Sequence, residues 1–201
     1  KAWIFNMRKF YIFRNKKLFF LSMGLGAAID YDKIRFYKNK KFEWGYFPAH
    51  IQHSKKELCE YKFSSHIEIL FVGRLIGCKH PFDVLRAFEL LSDEFSNIHL
   101  TYIGMGKEYE KLKNYAEKTK NGKKISFYKS MSPEKVREHM LRSNIFVFSS
   151  DYDDGWGAVL NEAMDSGCAI VSTYKSGAAL TMLKENQNCL IYQNGNYNQL
   201  A

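Results

Sequence analysis

From residue 67 onward the chain alternates short apolar runs with stretches whose apolar residues recur at helical spacing, and that alternation limits the fold more than any other feature. Residues 67–72 are apolar except for Glu68 and stop at Gly73, which predicts a buried strand. Phe82, Leu85, Phe88 and Leu91 then follow at helical spacing behind Pro81, a residue suited to a first helical turn. The pattern continues with expected strands at 98–103, 125–128, 145–148, 169–172 and 190–192. Between them lie expected helices at 108–120, from Ser132-Pro133 onward, at 157–165 and around 179–183. Near-continuous apolar strands joined through helices predict an α/β fold, a Rossmann-like doubly wound parallel sheet with helices on both faces. Ligands of such sheets bind outside the carboxyl ends of the strands. The chemistry is therefore expected in the loops after Val72, Ile103, Tyr128, Phe148 and Ser172.

Residues 1–62 read differently. They carry 14 Lys or Arg against 5 Asp or Glu, whereas residues 63–201 carry 16 of each, so the whole net charge of +9 sits in the first segment. A nucleic-acid binder would be basic along its binding fold, so no nucleic-acid partner is expected. Either a surface facing anionic lipid, with peripheral membrane contact, or a solvated basic face accounts for the excess. A strand at 18–22, a helix at 27–37, a strand at 42–47 and a linker over 50–61 are expected. The segment is too small for a complete domain. It is read as the tail of a preceding domain and a linker (1–62), followed by a ligand-binding domain (63–201). The chain starts at Lys1 with no initiator Met, so the true N-terminus is read as lying further upstream. The most apolar stretch, 18–29, is broken by Ser22, Gly24 and Gly26 and falls short of the ~20 residues of a spanning helix. The four cysteines, Cys59, Cys78, Cys168 and Cys189, form no C-x-x-C pair. Cys168 and Cys189 read as small core residues, and a cytoplasmic protein is expected.

The strongest local signal is Asp154-Gly155-Trp156-Gly157-Ala158-Val159-Leu160-Asn161-Glu162-Ala163-Met164, placed after an expected strand and opening an expected helix. The two glycines let backbone approach a ligand closely. The free N–H groups and positive dipole end of the helix suit a diphosphate. A carboxylate at Glu162 is able to accept two hydrogen bonds from a ribose diol, and Asp154 would face a sugar. Alternatively, Asp154 caps the helix and Glu162 is a solvated helix residue.

An acidic residue, seven residues and then Glu, with Gly-aromatic-Gly after the first acid and Ala-Met after the second, resembles the retaining glycosyltransferases of the GT-B fold, family 4, which carry Glu-x7-Glu here. Val72-Gly73-Arg74-Leu75 followed by Lys79, the run Ala169-Ile170-Val171-Ser172-Thr173, and Ser176-Gly177 are similar as well. The resemblance covers roughly 67–192. It implies the donor half of a GT-B enzyme, preceded by the remnant of an acceptor domain. It implies transfer of a sugar from a nucleotide-diphosphate sugar, UDP- or GDP-linked, to a saccharide or lipid-linked acceptor with retention, as in polysaccharide biosynthesis. By the same likeness Asp154, Arg74 and Lys79 are catalytic. Gly73, Arg74, Lys79, Met131, Asp154, Gly155, Trp156, Gly157, Ala158 and Glu162 bind the donor. No cofactor and no metal are implied. The sequence departs from the family at Asp154, which stands where Glu is usual, and at His80, Lys129 and Cys189, which stand where Gly is common. A nucleotide-sugar-binding module without turnover is the alternative.

Three further patterns compete for attention. Gly104-Met105-Gly106 begins like a dinucleotide fingerprint, but its third glycine position holds Tyr109, so a tight turn near the donor is expected instead. Asp151-Tyr152-Asp153 is similar to a metal-binding D-x-D, yet the Arg74 and Lys79 pair offers side-chain cations for the phosphates. His50, His53 and His66 lack any thiolate or H-E-x-x-H partner and read as a polar linker.

Overall fold

A computed structural model of the chain describes residues 17–33 and 39–201. The expected series of strands and helices is present. Strands β1 (Phe20–Met23) and β2 (Lys41–Trp44) flank helix α1 (Gly24–Lys33), and helix α2 (Lys55–Lys62) follows. Then come β3 (Ile67–Val72), α3 (Pro81–Glu94), β4 (Ile98–Ile103), α4 (Tyr109–Lys118), β5 (Ile125–Tyr128) and α5 (Pro133–Arg142). The chain closes with β6 (Ile145–Phe148), α6 (Val159–Asp165), β7 (Ala169–Ser172), α7 (Gly177–Met182), β8 (Leu190–Ile191) and α8 (Tyr197–Leu200).

Strands β3 to β8 form one six-stranded sheet in the order β5-β4-β3-β6-β7-β8, with every neighbouring pair parallel. The chain enters at the centre on β3, steps outward to β5, then returns across β3 to lay down β6 and steps outward the other way. The reversal leaves a crevice between the carboxyl ends of β3 and β6, where open α/β sheets bind ligands.

Side-chain alternation along the strands divides the core in two. Ile69, Phe71, Leu100 and Tyr102 pack with Leu85, Phe88 and Leu112 of α3 and α4 on one face. Leu70, Phe146, Phe148 and Ile170 pack with Met140, Leu160, Ala163 and Ala179 of α5, α6 and α7 on the other. Both faces are thus covered, as a parallel sheet requires. Tyr102 is fully buried, its hydroxyl donating to the Pro81 carbonyl at 2.9 Å. Cys168 and Cys189 are buried.

The N-terminal part differs in detail from expectation. Strands β1 and β2 pair in parallel, Phe20 opposite Lys41 through Met23 opposite Trp44. Helix α1 begins at Gly24, three residues earlier than expected, and of the expected 27–37 span residues 34–38 lie outside the described ones. The supposed linker contains helix α2. Ser54 caps it, its side chain accepting from the Glu57 N–H. At its far end Lys62 reaches the carbonyls of Met140 (2.8 Å) and Ser143 at the close of α5. A cation there satisfies carbonyls that the helix leaves open. Burial lowers the Lys62 pKa, opposed by Cys168. Residues 55–62 read as linker because their polar residues outnumber the apolar ones; the contacts that hold the helix come from α5, about 80 residues away.

Candidate functional site

The loop after β3 folds into a 3-10 turn, Gly77–Lys79, and the loop after β6 into another, Tyr152–Asp154. Two backbone-directed bonds tie the two loops, and a third ties the second of them to the loop after β7. The Asp151 N–H donates to Cys78 O (2.9 Å), Ser149 Oγ to Lys79 O (2.6 Å), and Thr173 Oγ1 to Ser150 O (2.6 Å). They bring Lys79 and Asp154 together across the crevice as an ion pair, with side chains only 10% and 13% exposed. Lys79 Nζ also lies 5.6 Å from the centre of the Phe148 ring. Asp154 therefore does not cap α6: the N-cap position is Ala158, which offers no side-chain cap.

Gly157 closes the pair from the other side. Its φ is +85°, and a Cβ there would fall 2.3 Å from Phe148 Cζ and 3.2 Å from an Asp154 carboxylate oxygen. No other residue fits that space. Gly155 O and Trp156 O accept from the Gly177 and Ala178 N–H groups at the start of α7 (2.7 and 2.9 Å). The Trp156 ring is partly buried against the second core. Its Nε1 donates to Asn161 (3.0 Å), while Asn161 Nδ2 donates to Tyr46 O (3.2 Å).

His80 has φ +45°, a left-handed backbone that glycine adopts freely and histidine at some cost. Its ring bridges the loops, with Nδ1 3.4 Å from Asp83 and Nε2 3.3 Å from Asp151. Asp151 also accepts from the Asp153 N–H at 2.9 Å. Its carboxylate is thus committed to shaping the turn.

Gly73, Arg74 and Met131 line a neighbouring cleft of about 490 Å³ with Val72, Gly104, Gly106 and others. Gly104 and Gly106 make the close approach: a Cβ on either would strike Gly73 O at 2.0 Å or Leu75 O at 2.2 Å. The tight turn expected at 104–106 is present. Arg74 is exposed at this cleft and makes no ion pair among the described residues. Arg74 and Lys79 thus occupy different settings, one free at the mouth and one enclosed with its counter-ion.

Glu162, on α6, faces another neighbour. Arg137 Nη2 lies 3.4 Å from Glu162 Oε1, and Arg137 also pairs with Asp165 (3.6 Å) and donates to Ala49 O (3.0 Å). His50 pairs with the same Asp165, which also accepts from the Ile51 N–H at 2.9 Å. Burial pushes the Asp165 carboxyl up, but the Ile51 N–H, His50 and Arg137 more than offset this and hold it below its usual value. Arg137 and Asp165 were not singled out from sequence, and His50, read there as part of a polar linker, pairs with Asp165 instead. The available signal was a helix bearing two acids, Glu162 and Asp165, on one face with no cation of its own.

The model of the family described as glycosyl transferases group 1 matches residues 60–201. An uncharacterized glycosyltransferase of Methanocaldococcus jannaschii is 31% identical over 134 residues, 66% of this chain and 34% of its own length. Among solved structures, S. aureus TarM, in a complex with fondaparinux, alpha-GlcNAc-glycerol and UDP, superposes with a TM-score of 0.78. It is 16% identical, over 97% of this chain and 38% of that one. Anabaena HepE in complex with UDP superposes at 0.74, 13% identical, over 90% and 51%. At these identities the two structures establish likeness of fold. The chain spans about a third of the length of the archaeal relative.

Proposed function

The chain belongs to the glycosyl transferases group 1 family, and from that premise we propose that it carries the donor site of a retaining GT-B glycosyltransferase of family 4. The observation that supports this most is the meeting of Lys79 and Asp154 at the switch point of the sheet, beside the Gly155–Gly157 turn. The donor is a UDP- or GDP-linked hexose. Its base enters the cleft by Met131 and Gly104–Gly106, and its ribose hydroxyls donate to Glu162. Its diphosphate meets Arg74, Lys79 and the N–H groups near Ala158. The sugar lies against Asp154 and residues 155–157.

In the reaction the bond from anomeric carbon to diphosphate breaks, a new bond to an acceptor oxygen forms with the same configuration, and the acceptor hydroxyl's proton passes to the departing diphosphate. Arg74 and Lys79 stabilise the negative charge gathered on the departing diphosphate, which is catalysis by electrostatic preorganisation. Side-chain cations do this rather than a metal. Asp151, in the D-x-D-like run, accepts from the Asp153 N–H and lies against the His80 ring. The acceptor, a saccharide or a lipid-linked one, is held by a preceding domain of which residues 1–62 are the tail, at the cytoplasmic membrane face. A thermal-shift panel of nucleotide sugars tests the reading, because a ligand bound by the native state raises the melting temperature by mass action. We expect UDP- or GDP-sugars to stabilise the chain and NAD to have no effect. Stabilisation by none of the nucleotide sugars would remove the reading.

A further inference from the structure

Lys79 and Asp154 are nearly enclosed, and each is the other's charge partner. The inner Asp154 oxygen is sealed from solvent and receives no aligned N–H or O–H bond, so the ammonium is what compensates it. The Phe148 ring and Gly157 close the remaining sides. A diphosphate arriving at Lys79 therefore competes with a carboxylate already there. Drawing the two apart leaves a buried charge uncompensated unless the ligand supplies a replacement. Arg74 carries no such burden, being exposed and unpaired with any carboxylate among the described residues.

Resting on the donor-site reading above, we propose that Asp154 determines specificity as an internal counter-ion, favouring a nucleotide sugar over the bare nucleoside diphosphate that the reaction releases. A bare diphosphate takes Lys79 and leaves the Asp154 carboxylate without donors. A nucleotide sugar takes Lys79 and offers sugar hydroxyls, whose O–H groups donate to the released carboxylate. Discrimination then comes from a penalty imposed on the wrong ligand as much as from contacts to the right one. Binding follows an order: Arg74 meets the anion at the mouth, then Lys79 exchanges partners. The product leaves readily because Asp154 reclaims Lys79 once the sugar has gone.

Isothermal titration of the chain with UDP and with GDP, before and after Asp154→Asn, tests this. The variant keeps the shape and removes the competing charge. Affinity for the preferred diphosphate should rise about tenfold, the scale of one charge-assisted hydrogen bond released to the ligand. The matching nucleotide sugar, UDP-glucose or GDP-mannose, should gain less. In a Lys79→Met background the same substitution should raise diphosphate affinity clearly less, since no ammonium is left to release and only the repulsion from the carboxylate is relieved. Should Asp154→Asn melt too low to titrate, Asp154→Ser takes its place. Wild-type binding with unchanged or weaker diphosphate affinity in the variant overturns the proposal and leaves the donor-site reading standing. A chain that binds neither UDP nor GDP, with or without Asp154, overturns both.

Discussion

The two parallel sheets of this molecule are built to different standards. In the six-stranded sheet the central strands bury Leu70, Leu100 and Phe146 completely, and helices cover both faces. In the two-stranded sheet Leu21 is 53% exposed and Phe42 56%, with Phe19 and Trp44 exposed beside them. Parallel strands ordinarily require cover on both sides. The larger sheet has that cover within the described residues and the smaller one does not. The smaller unit is held instead by docking, α1 lying against α7. At that contact Gly24, at φ +76°, is so close to Gly177 that a Cβ would fall 2.9 Å from its Cα. Every residue proposed to meet the donor is on the six-stranded unit. The chain just after the two-stranded sheet meets the six-stranded unit beside Glu162, through Tyr46 on Asn161 and Ala49 on Arg137.

The largest expected effect separates the two cores. Leu70→Ala should lose about 3 kcal/mol of stability, the usual cost of a cavity at a fully buried leucine. Leu21→Ala should lose less than about 0.5 kcal/mol, as exposed positions do. Urea titrations of both variants decide it, and similar losses would break the contrast. Next comes the docking contact. Gly24→Ala puts a side chain at a left-handed φ and into Gly177, a strain on the order of 1–3 kcal/mol. Amide exchange should rise over residues 17–33 and 39–46 and stay unchanged in β3 and β6. Loss of protection across both sheets would show that they unfold as one unit.

The smallest effect concerns the strap between them. Asp165→Asn should cost about 1 kcal/mol by loosening His50, the Ile51 N–H and Arg137. Asp165 is held below its usual value in the folded chain. Its contribution should be complete above the ordinary aspartate value of about 4 and fade as pH falls through the lower folded value. Melting curves of wild type and variant should therefore converge in acid. A gap that persists at the lowest pH would assign the strap to packing instead.

The sheet was legible because β3, β4 and β6 are short apolar runs that stop at polar loops, and their alternation predicts both strands and layers. Loop geometry was legible at Gly104 and Gly106, where the expected tight turn admits nothing larger, whereas Gly157 was read as room for a ligand and its fit against Phe148 was not foreseen. What could not be read was pairing between charges far apart in sequence. Arg74 and Lys79 looked alike as two cations near one turn, yet one is free and the other neutralised by Asp154, 75 positions away. Arg137 went unnoticed because a single arginine on an amphipathic helix carries no local mark of its partners. Helix α2 was missed because its residues are mostly polar: Ser54 caps it locally, and Lys62 ties it to carbonyls at the end of α5.

We propose that a nucleoside diphosphate is bound at the switch point between β3 and β6, by the six-stranded unit alone. Titration of UDP and GDP into the wild-type chain, Lys79→Met and Trp44→Ala measures this most directly. Lys79→Met should weaken binding of the preferred nucleotide by about tenfold or more, the worth of a charge-assisted contact to phosphate. Trp44→Ala on the smaller sheet should change it less than about twofold. Affinity that survives the loss of Lys79, or that falls with Trp44 instead, would place the nucleotide elsewhere and contradict it.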